Sequence, residues 1–464
     1  MEYVDICEIL THGSRYEHKT VKVAGWVRTA RDSKTMAFAA LNDGSSLRHL
    51  QIVADKSDID AAVLSSCFRN GVSIEVKGEV VPAVVNAGEY EINAAEVTLL
   101  GDCPADYPLQ KKYHSLEFLR TVPHLRVRTN TFNAMLRVRS KISYALHRFF
   151  QENGYIYVHT PIITGSDCEG AGEIFRVTTN SYEDAKRCKD EAEYIANDFF
   201  RRKAGLTVSG QLEGEVAAMA MGRIYTFGPT FRAENSNTPR HAAEFWQIEP
   251  EVAFAKLPDI IEIAEKMIKF VINAVLEECS EEIGFFEKAF EKGLRAKLEN
   301  VVSSDFAVLD YTDAVDMLKK ADATFSYPVE WGLDLQTEHE RYITEKVLGK
   351  PVFVTNYPKK IKSFYMKQND DGRTVAATDL LVPGVGEIIG CSERESDYDK
   401  LVAAMTERGM NLDDYKGYME LRKYGSVPHS GFGLGLERIL MYVTGIGNIR
   451  DLQLYSRTPA DLMA

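Results

Sequence analysis

The hydrophobic period of this 464-residue chain changes near residue 130, and that change constrains the fold more than any other feature. Upstream lie five short strand-like runs, TVKVAGWVRTA, MAFAALND, HLQIVAD, VSIEVKGEVV and YEINAAEVTLL, with turn residues between them such as NDGSS at 42–46. One helix-like stretch, DIDAAVLSSCFRNG, interrupts them. Five strands and one helix predict a small Greek-key β-barrel of the OB type over 1–103. A basic, Pro-punctuated linker follows over 104–128. Then Phe132, Met135, Leu136, Ile142, Ala145, Leu146, Phe149 and Phe150 share one helical face that ends near Asn153-Gly154. YIYVHTPIIT reads next as a strand, and Pro161 within it belongs at an edge or a bulge. Residues 258–278 repeat the helical pattern, inside a helical insertion expected around 256–325. The rest alternates strands and helices with no βαβ regularity and no early GxGxxG. Residues 129–464 therefore predict an α+β domain on an antiparallel sheet flanked by helices.

Two domains are what this length requires. With 45% hydrophobic and 27% charged residues, the composition is that of a soluble globular chain. No run of about 18 apolar residues exists, so no membrane span is expected. The start, MEYVDICEILTHGS, has no basic segment leading into an apolar one, so no secretory signal is expected. Cysteines 7, 67, 103, 168, 188, 279 and 391 are scattered, form no CxxC, and read as reduced thiols of a cytoplasmic protein. A net charge of −13 argues against a nucleic-acid partner on average. Residues 104–141, however, carry eight Lys/Arg against two Asp/Glu, a stripe that suits either a phosphate backbone or a solvated helix face.

Four segments concentrate polar residues. SDCEGAGEIF at 166–175 is a Gly-containing loop with Glu169, and TVSGQLEGE at 207–215 offers Ser209 and Gln211 from an expected strand end. FRAENSNTPRHAAEFWQIEPE at 231–251 places Arg232, Glu234, Arg240, His241, Phe245 and Glu249 along one ribbon. An arginine there can present a bidentate fork to phosphate, and an aromatic ring a stacking face. A surface ladder of ion pairs would read the same way. HSGFGLGLERILMYVTG at 429–445 opens an amphipathic helix behind three glycines, the third Gly435, and carries Arg438. That is either an anion site or a glycine-packed strand–helix junction. It lacks Gly-Lys-Ser/Thr, which argues against P-loop chemistry. Asp379 and Glu387 flank a Pro-Gly turn and are suited to Mg²⁺, or to an ordinary hairpin surface.

Together these segments resemble the class II aminoacyl-tRNA synthetases of the aspartate/asparagine/lysine subgroup. The helix to Pro161 is similar to motif 1, FRAE with its hairpin to motif 2, and GFGLGLER to motif 3. SDCEGAGE, TVSGQL, FGPTFRAENSNT, GEIIG and VPHSGFGLG are similar to the bacterial-type asparaginyl enzymes. The resemblance implies an anticodon-binding OB barrel, a hinge and a catalytic domain that dimerises through motif 1. It implies activation of L-asparagine by ATP with Mg²⁺, then transfer of the acyl group to tRNA-Asn. By the same resemblance Arg232 holds the α-phosphate, Glu234 the adenine amino group, and Phe245 and Arg438 the two adenine faces. Arg240, His241, Glu387 and Gly435 complete the ATP site, and Asp379 with Glu387 would take the metal. Glu169, Ser209 and Gln211 would hold the amino acid's α-amino and carboxylate ends. In the barrel, Phe38 and Gln51 match anticodon-reading positions, with Arg28 and Arg31 on the preceding strand.

Asparagine rather than aspartate follows from two departures. Bacterial aspartyl enzymes carry a lysine where this chain has Gly214, so that cation is absent. Glu249 stands where they have aspartate. Arg394 would donate to the side-chain carbonyl, and Glu249, or Glu244 in its place, would accept from the amide. A carboxylate facing that acceptor would be repelled. The competing readings are an aspartyl-tRNA synthetase of relaxed specificity and an asparagine synthetase-like enzyme on the same fold. A non-catalytic tRNA-binding protein would be expected to lack Arg232, Glu387 or Arg438. The C-terminal DLQLYSRTPADLMA departs from the family's usual ending.

Overall fold

The computed structural model describes residues 3–85, 88–168, 170 and 173–462. The chain divides into two compact units, Met1–Ala134 and Met135–Ala464.

In the first unit β1 (Thr20–Asp32), β2 (Met36–Asn42), β3 (Leu50–Asp55), β4 (Ser73–Pro82) and β5 (Tyr90–Gly101) close a barrel in the order β1-β2-β3-β5-β4. Alternation along the strands turns Val23, Ala39, Leu41, Ile52, Ile74 and Val76 into one core. The helix Ala61–Cys67 sits between β3 and β4, and its first turn is closed by Asp60, whose carboxylate accepts from Ala62 N–H at 2.7 Å.

The second unit is built on an eight-stranded sheet. Its order is β11 (Ala307–Asp310), β12 (Val352–Thr355), β13 (Ala377–Val382), β14 (Gly386–Glu393), β15 (His429–Gly435), β10 (Glu244–Ala253), β9 (Arg223–Phe231) and β6 (Ile156–Tyr157). The six central strands are antiparallel, as expected. Both edge pairs, β6–β9 and β11–β12, are parallel, which the sequence reading did not anticipate. Connections containing a helix permit that arrangement, and tight hairpins do not. The segment expected as a helical insertion also supplies edge strand β11. YIYVHTPIIT is not one strand either. Pro161 separates β6 from β7 (Ile163–Thr164), which pairs with β8 (Gly205–Leu206) in a small second sheet. The helices expected on periodicity are Asn130–Glu152 and Leu257–Glu278, and the second buries Ile260, Ala264, Met267, Ile268, Val271, Ile272 and Val275. Among the described residues no helix is long and apolar enough to cross a membrane, and all seven cysteines are free thiols.

Candidate active site

The centre of the sheet carries two adjoining hollows, one of about 400 Å³ and one of about 110 Å³, which share Arg232, Glu234, Gln247, Glu387 and Gly433. The floor follows from strand alternation. Phe245, Gln247, Glu249 and Glu251 are two apart on β10 and all reach the hollows. Trp246, between them, faces away and packs edge-on against Phe227. Glu244, at the outer end of β10, lines neither hollow, so of the two candidate acceptors only Glu249 reaches the cavity.

The smaller hollow is closed by the β9–β10 loop. The Arg232 guanidinium lies 5.4 Å from the Phe245 ring centre and 4.0 Å from Glu234. His241 is 2.5 Å from the Thr238 hydroxyl and 3.9 Å from Glu234, and Arg240 donates to the Thr337 hydroxyl at 2.8 Å. The unusual C-terminal segment and the turn before it brace this loop: Ala243 N–H donates to the Arg457 carbonyl at 2.7 Å, and Ile449 N–H to that of Pro239 at 2.8 Å. Arg438 and Gly435 line the same hollow.

Asp379 on β13 and Glu387 on β14 converge over Gly390: a methyl placed there would lie 3.6 Å from an oxygen of each. Lys362, which the sequence did not single out, donates to Asp379 at 2.5 Å, and Arg438 pairs with Glu387 at 3.3 Å. Burial pushes the Asp379 carboxyl up to about 6, with Glu387 adding repulsion and Lys362 opposing both. Burial also acts on Glu387, but Arg438 and Lys362 outweigh it and hold that carboxyl below its ordinary range. Glu340 approaches from the helix Thr337–Arg341 and accepts from Glu387 N–H at 3.2 Å; burial and Glu387 push it up to about 8. Among the described residues no group of three or more His, Cys, Asp and Glu side chains is placed to hold a metal. Two converging carboxylates with room above them still fit Mg²⁺, which takes its other ligands from phosphate and water.

The larger hollow holds Ser209, Gln211, Glu249 and Arg394. Ser209 and Gln211 do not sit at a strand end as expected. Ser209 lies in a tight loop, and Gln211 opens the helix Gln211–Met221. Glu249 accepts from the Ser209 hydroxyl, from Gly210 N–H at 2.9 Å and from the Thr226 hydroxyl at 3.2 Å. Arg394 is 4% exposed and forms a two-point ion pair with Glu251, not with Glu249. Gly214 stands behind the wall instead of lining it, in ordinary contact distance of Ile224, Thr226 and Glu251. Glu169 lies outside the described residues.

On the barrel, Arg31 and Phe38 are direct partners across β1 and β2, with the guanidinium 4.3 Å from the ring centre. Gln51 is paired with Ala40 one row further along. Arg28 is separated from them: it is the extra residue of a β-bulge, close to His49, Tyr107 and Arg128.

The sequence reading missed Lys362, Glu340 and Glu251. The period of two on β10 was signal enough for Glu251; no spacing marks the other two.

A family model described as tRNA synthetases class II (D, K and N) matches residues 115–459, and one described as an OB-fold nucleic acid binding domain matches 21–100. The chain is 55% identical over 459 residues to the asparagine–tRNA ligase of Clostridium novyi, covering 99% of each chain. It is 56% identical over 443 residues to that of Acetivibrio thermocellus, covering 96% of each. Its fold matches a crystal structure of asparaginyl-tRNA synthetase from Pyrococcus horikoshii complexed with asparaginyl-adenylate, with a TM-score of 0.88, 32% identity and full coverage of both chains. The chain belongs to the class II tRNA synthetases of the D, K and N group and, within it, to the asparagine–tRNA ligases.

Proposed function

We propose that the two hollows are the asparagine and ATP sites of one adenylation centre. An asparagine–tRNA ligase attaches L-asparagine to tRNA through an asparaginyl-adenylate and releases AMP and pyrophosphate. The observation that carries the assignment is the shared wall. Arg232 borders both hollows, so a carboxylate held beside Ser209 and Gln211 meets a phosphate held by Arg232 without either leaving its seat. Attack of a carboxylate on an α-phosphate needs alignment and charge neutralisation, not a protein nucleophile. Arg232 neutralises the α-phosphate, Arg438 the outer phosphates, and Phe245 takes the adenine ring with Glu234 at its amino group. Asp379 and Glu387 would hold Mg²⁺, which supplies further positive charge to the phosphates. Arg394 donates to the side-chain carbonyl of asparagine, and Glu249 accepts from its amide. That acceptor repels the second oxygen of aspartate.

Pyrophosphate exchange run separately with asparagine and aspartate tests this. Exchange with asparagine alone is expected, followed by charging of tRNA-Asn; exchange with aspartate alone sinks the reading.

A homodimer in the cytoplasm accompanies this proposal. Tyr144, Ile156 and Tyr157 of the motif 1 segment are 61%, 47% and 42% exposed, apolar surface of the kind a partner covers. Sedimentation of the wild type and of Ile156→Asp is expected to show a dimer and its weakening.

A further inference from the structure

Two fully buried glutamates support Arg394 and Gln211: Glu251, at the edge of the larger hollow, and Glu215, behind it. Glu251 accepts from Nε and Nη2 of Arg394, while Nη1 donates to the Ser392 hydroxyl at 2.6 Å. The remaining N–H bonds of the fork stay available to the cavity, and the plane of the guanidinium is fixed. Glu251 reaches Arg394 by crossing strand β15. Its partner there is Gly431, which is also the partner of Ser392 on β14. A Cβ on Gly431 would overlap the Glu251 carboxylate, so the crossing exists only because this position is glycine.

Glu215 does the equivalent for Gln211. Its carboxylate accepts from Arg422 Nη2 at 2.5 Å, the Tyr418 hydroxyl at 2.9 Å and Gln211 Nε2 at 3.0 Å, with His429 Nε2 at 2.9 Å. Burial would favour its protonation, but Arg422 and His429 outweigh that and hold it well below the carboxylate range. An ionised carboxylate can only accept, so the NH₂ of Gln211 must face it. The amide oxygen is then the group left for a ligand, and an acceptor there suits an ammonium.

We propose that Glu251, seated over Gly431, and Glu215 are positioning residues for asparagine: Glu251 aims Arg394 at the side-chain amide, and Glu215 turns the Gln211 oxygen toward the α-ammonium. The inference rests on the asparagine-adenylating reading above. Neither glutamate belongs to the ATP hollow.

Pyrophosphate exchange by the full chain tests it, with Glu251→Gln and Glu215→Gln as shape-conserving variants. Each is expected to raise KM for asparagine about 10- to 100-fold, the size of one charged hydrogen bond, and to leave KM for ATP within about twofold. Succinamic acid, which is asparagine without its α-amino group, separates the two roles. Its inhibition constant should rise in Glu251→Gln and stay unchanged in Glu215→Gln. A third measurement pairs Gly431→Ala with Glu251→Ala. The double variant should be no worse than Glu251→Ala alone, because the methyl then occupies vacated space. Equal rises in KM for ATP and asparagine, unchanged KM for asparagine, or additive effects in the Gly431 cycle would each overturn the proposal. Wild-type protein that fails to exchange with asparagine would instead overturn the parent reading.

Discussion

Arg232 touches both halves of the site yet is only partly enclosed, with a side-chain exposure of 31%. Its loss should therefore cost catalysis and spare stability. Arg232→Ala is expected to lower kcat for pyrophosphate exchange by about 10²- to 10³-fold, the range for removing one pre-aimed charge stabiliser. The melting curve should stay where it is, and a large fall in melting temperature would show that the side chain supports the fold instead. In the barrel, His49 makes the opposite kind of prediction. Burial with the nearby Arg28 pushes its imidazole from 6.5 down to about 4, against a hydrogen bond with the Arg48 backbone. Between those values the folded chain binds fewer protons than the unfolded one, so the stability this group contributes is whole above pH 6.5. It is lost as pH falls through about 4, and the full loss is at most about 3 kcal/mol. Urea melts at pH 7 and pH 5 check this: the loss between the two should shrink in His49→Gln, and an equal loss in both proteins would contradict it.

At the scale of elements, the motif 1 helix and the motif 3 helix are joined by one buried contact. Glu437 is 1% exposed and accepts from Arg139 at 2.7 Å, from Trp246 N–H at 3.1 Å and from Gln453 at 3.2 Å. Glu437→Ala should destabilise the second unit by about 3 kcal/mol, since it strands partners that were hydrogen-bonded. Arg139→Met with Glu437→Leu should recover part of that loss, because an apolar pair leaves no charge behind. Thermal melts of the three proteins decide it, and a double variant worse than Glu437→Ala would count against the contact. The Glu437-Arg438 pair was visible in the sequence, but the division of labour within it was not: both border the smaller hollow, yet Glu437 pairs with Arg139 and Arg438 with Glu387. Elements with strong periods were legible in this way, among them the barrel strands and both long helices. The parallel edge strands were not, because two- and four-residue strands carry almost no period. Gly214 was legible as a missing cation, but its place behind the cavity wall depends on how a helix packs on β9 and β10. Ser209 and Gln211 line one hollow, but from a loop and a helix start instead of the expected strand end, since SGQL reads equally well as either.

At the scale of the whole molecule, the proposal assigns recognition of tRNA to the first unit and activation of the amino acid to the second, and that division can be measured. The candidate anticodon face of the barrel presents Phe38 with one ring face already under the Arg31 guanidinium. A base can stack on the free face while the arginine meets its phosphate, so both terms fall on one pair of side chains. Phe38→Ala should raise KM for tRNA by about 5- to 150-fold, the equivalent of the roughly 1–3 kcal/mol that stacking supplies per base. Arg31→Ala should instead weaken tRNA binding in proportion to a lost phosphate contact, with a shallower dependence on salt. Neither variant should change asparagine-dependent pyrophosphate exchange, because the residues that line the two proposed substrate hollows all belong to the second unit. The paired assay is thus internally controlled: charging and exchange are measured on the same preparation across a salt series. Should Phe38→Ala slow exchange as much as charging, the barrel would be supporting the catalytic unit and not reading the anticodon. A salt slope left intact by Arg31→Ala would remove the arginine from the phosphate contacts.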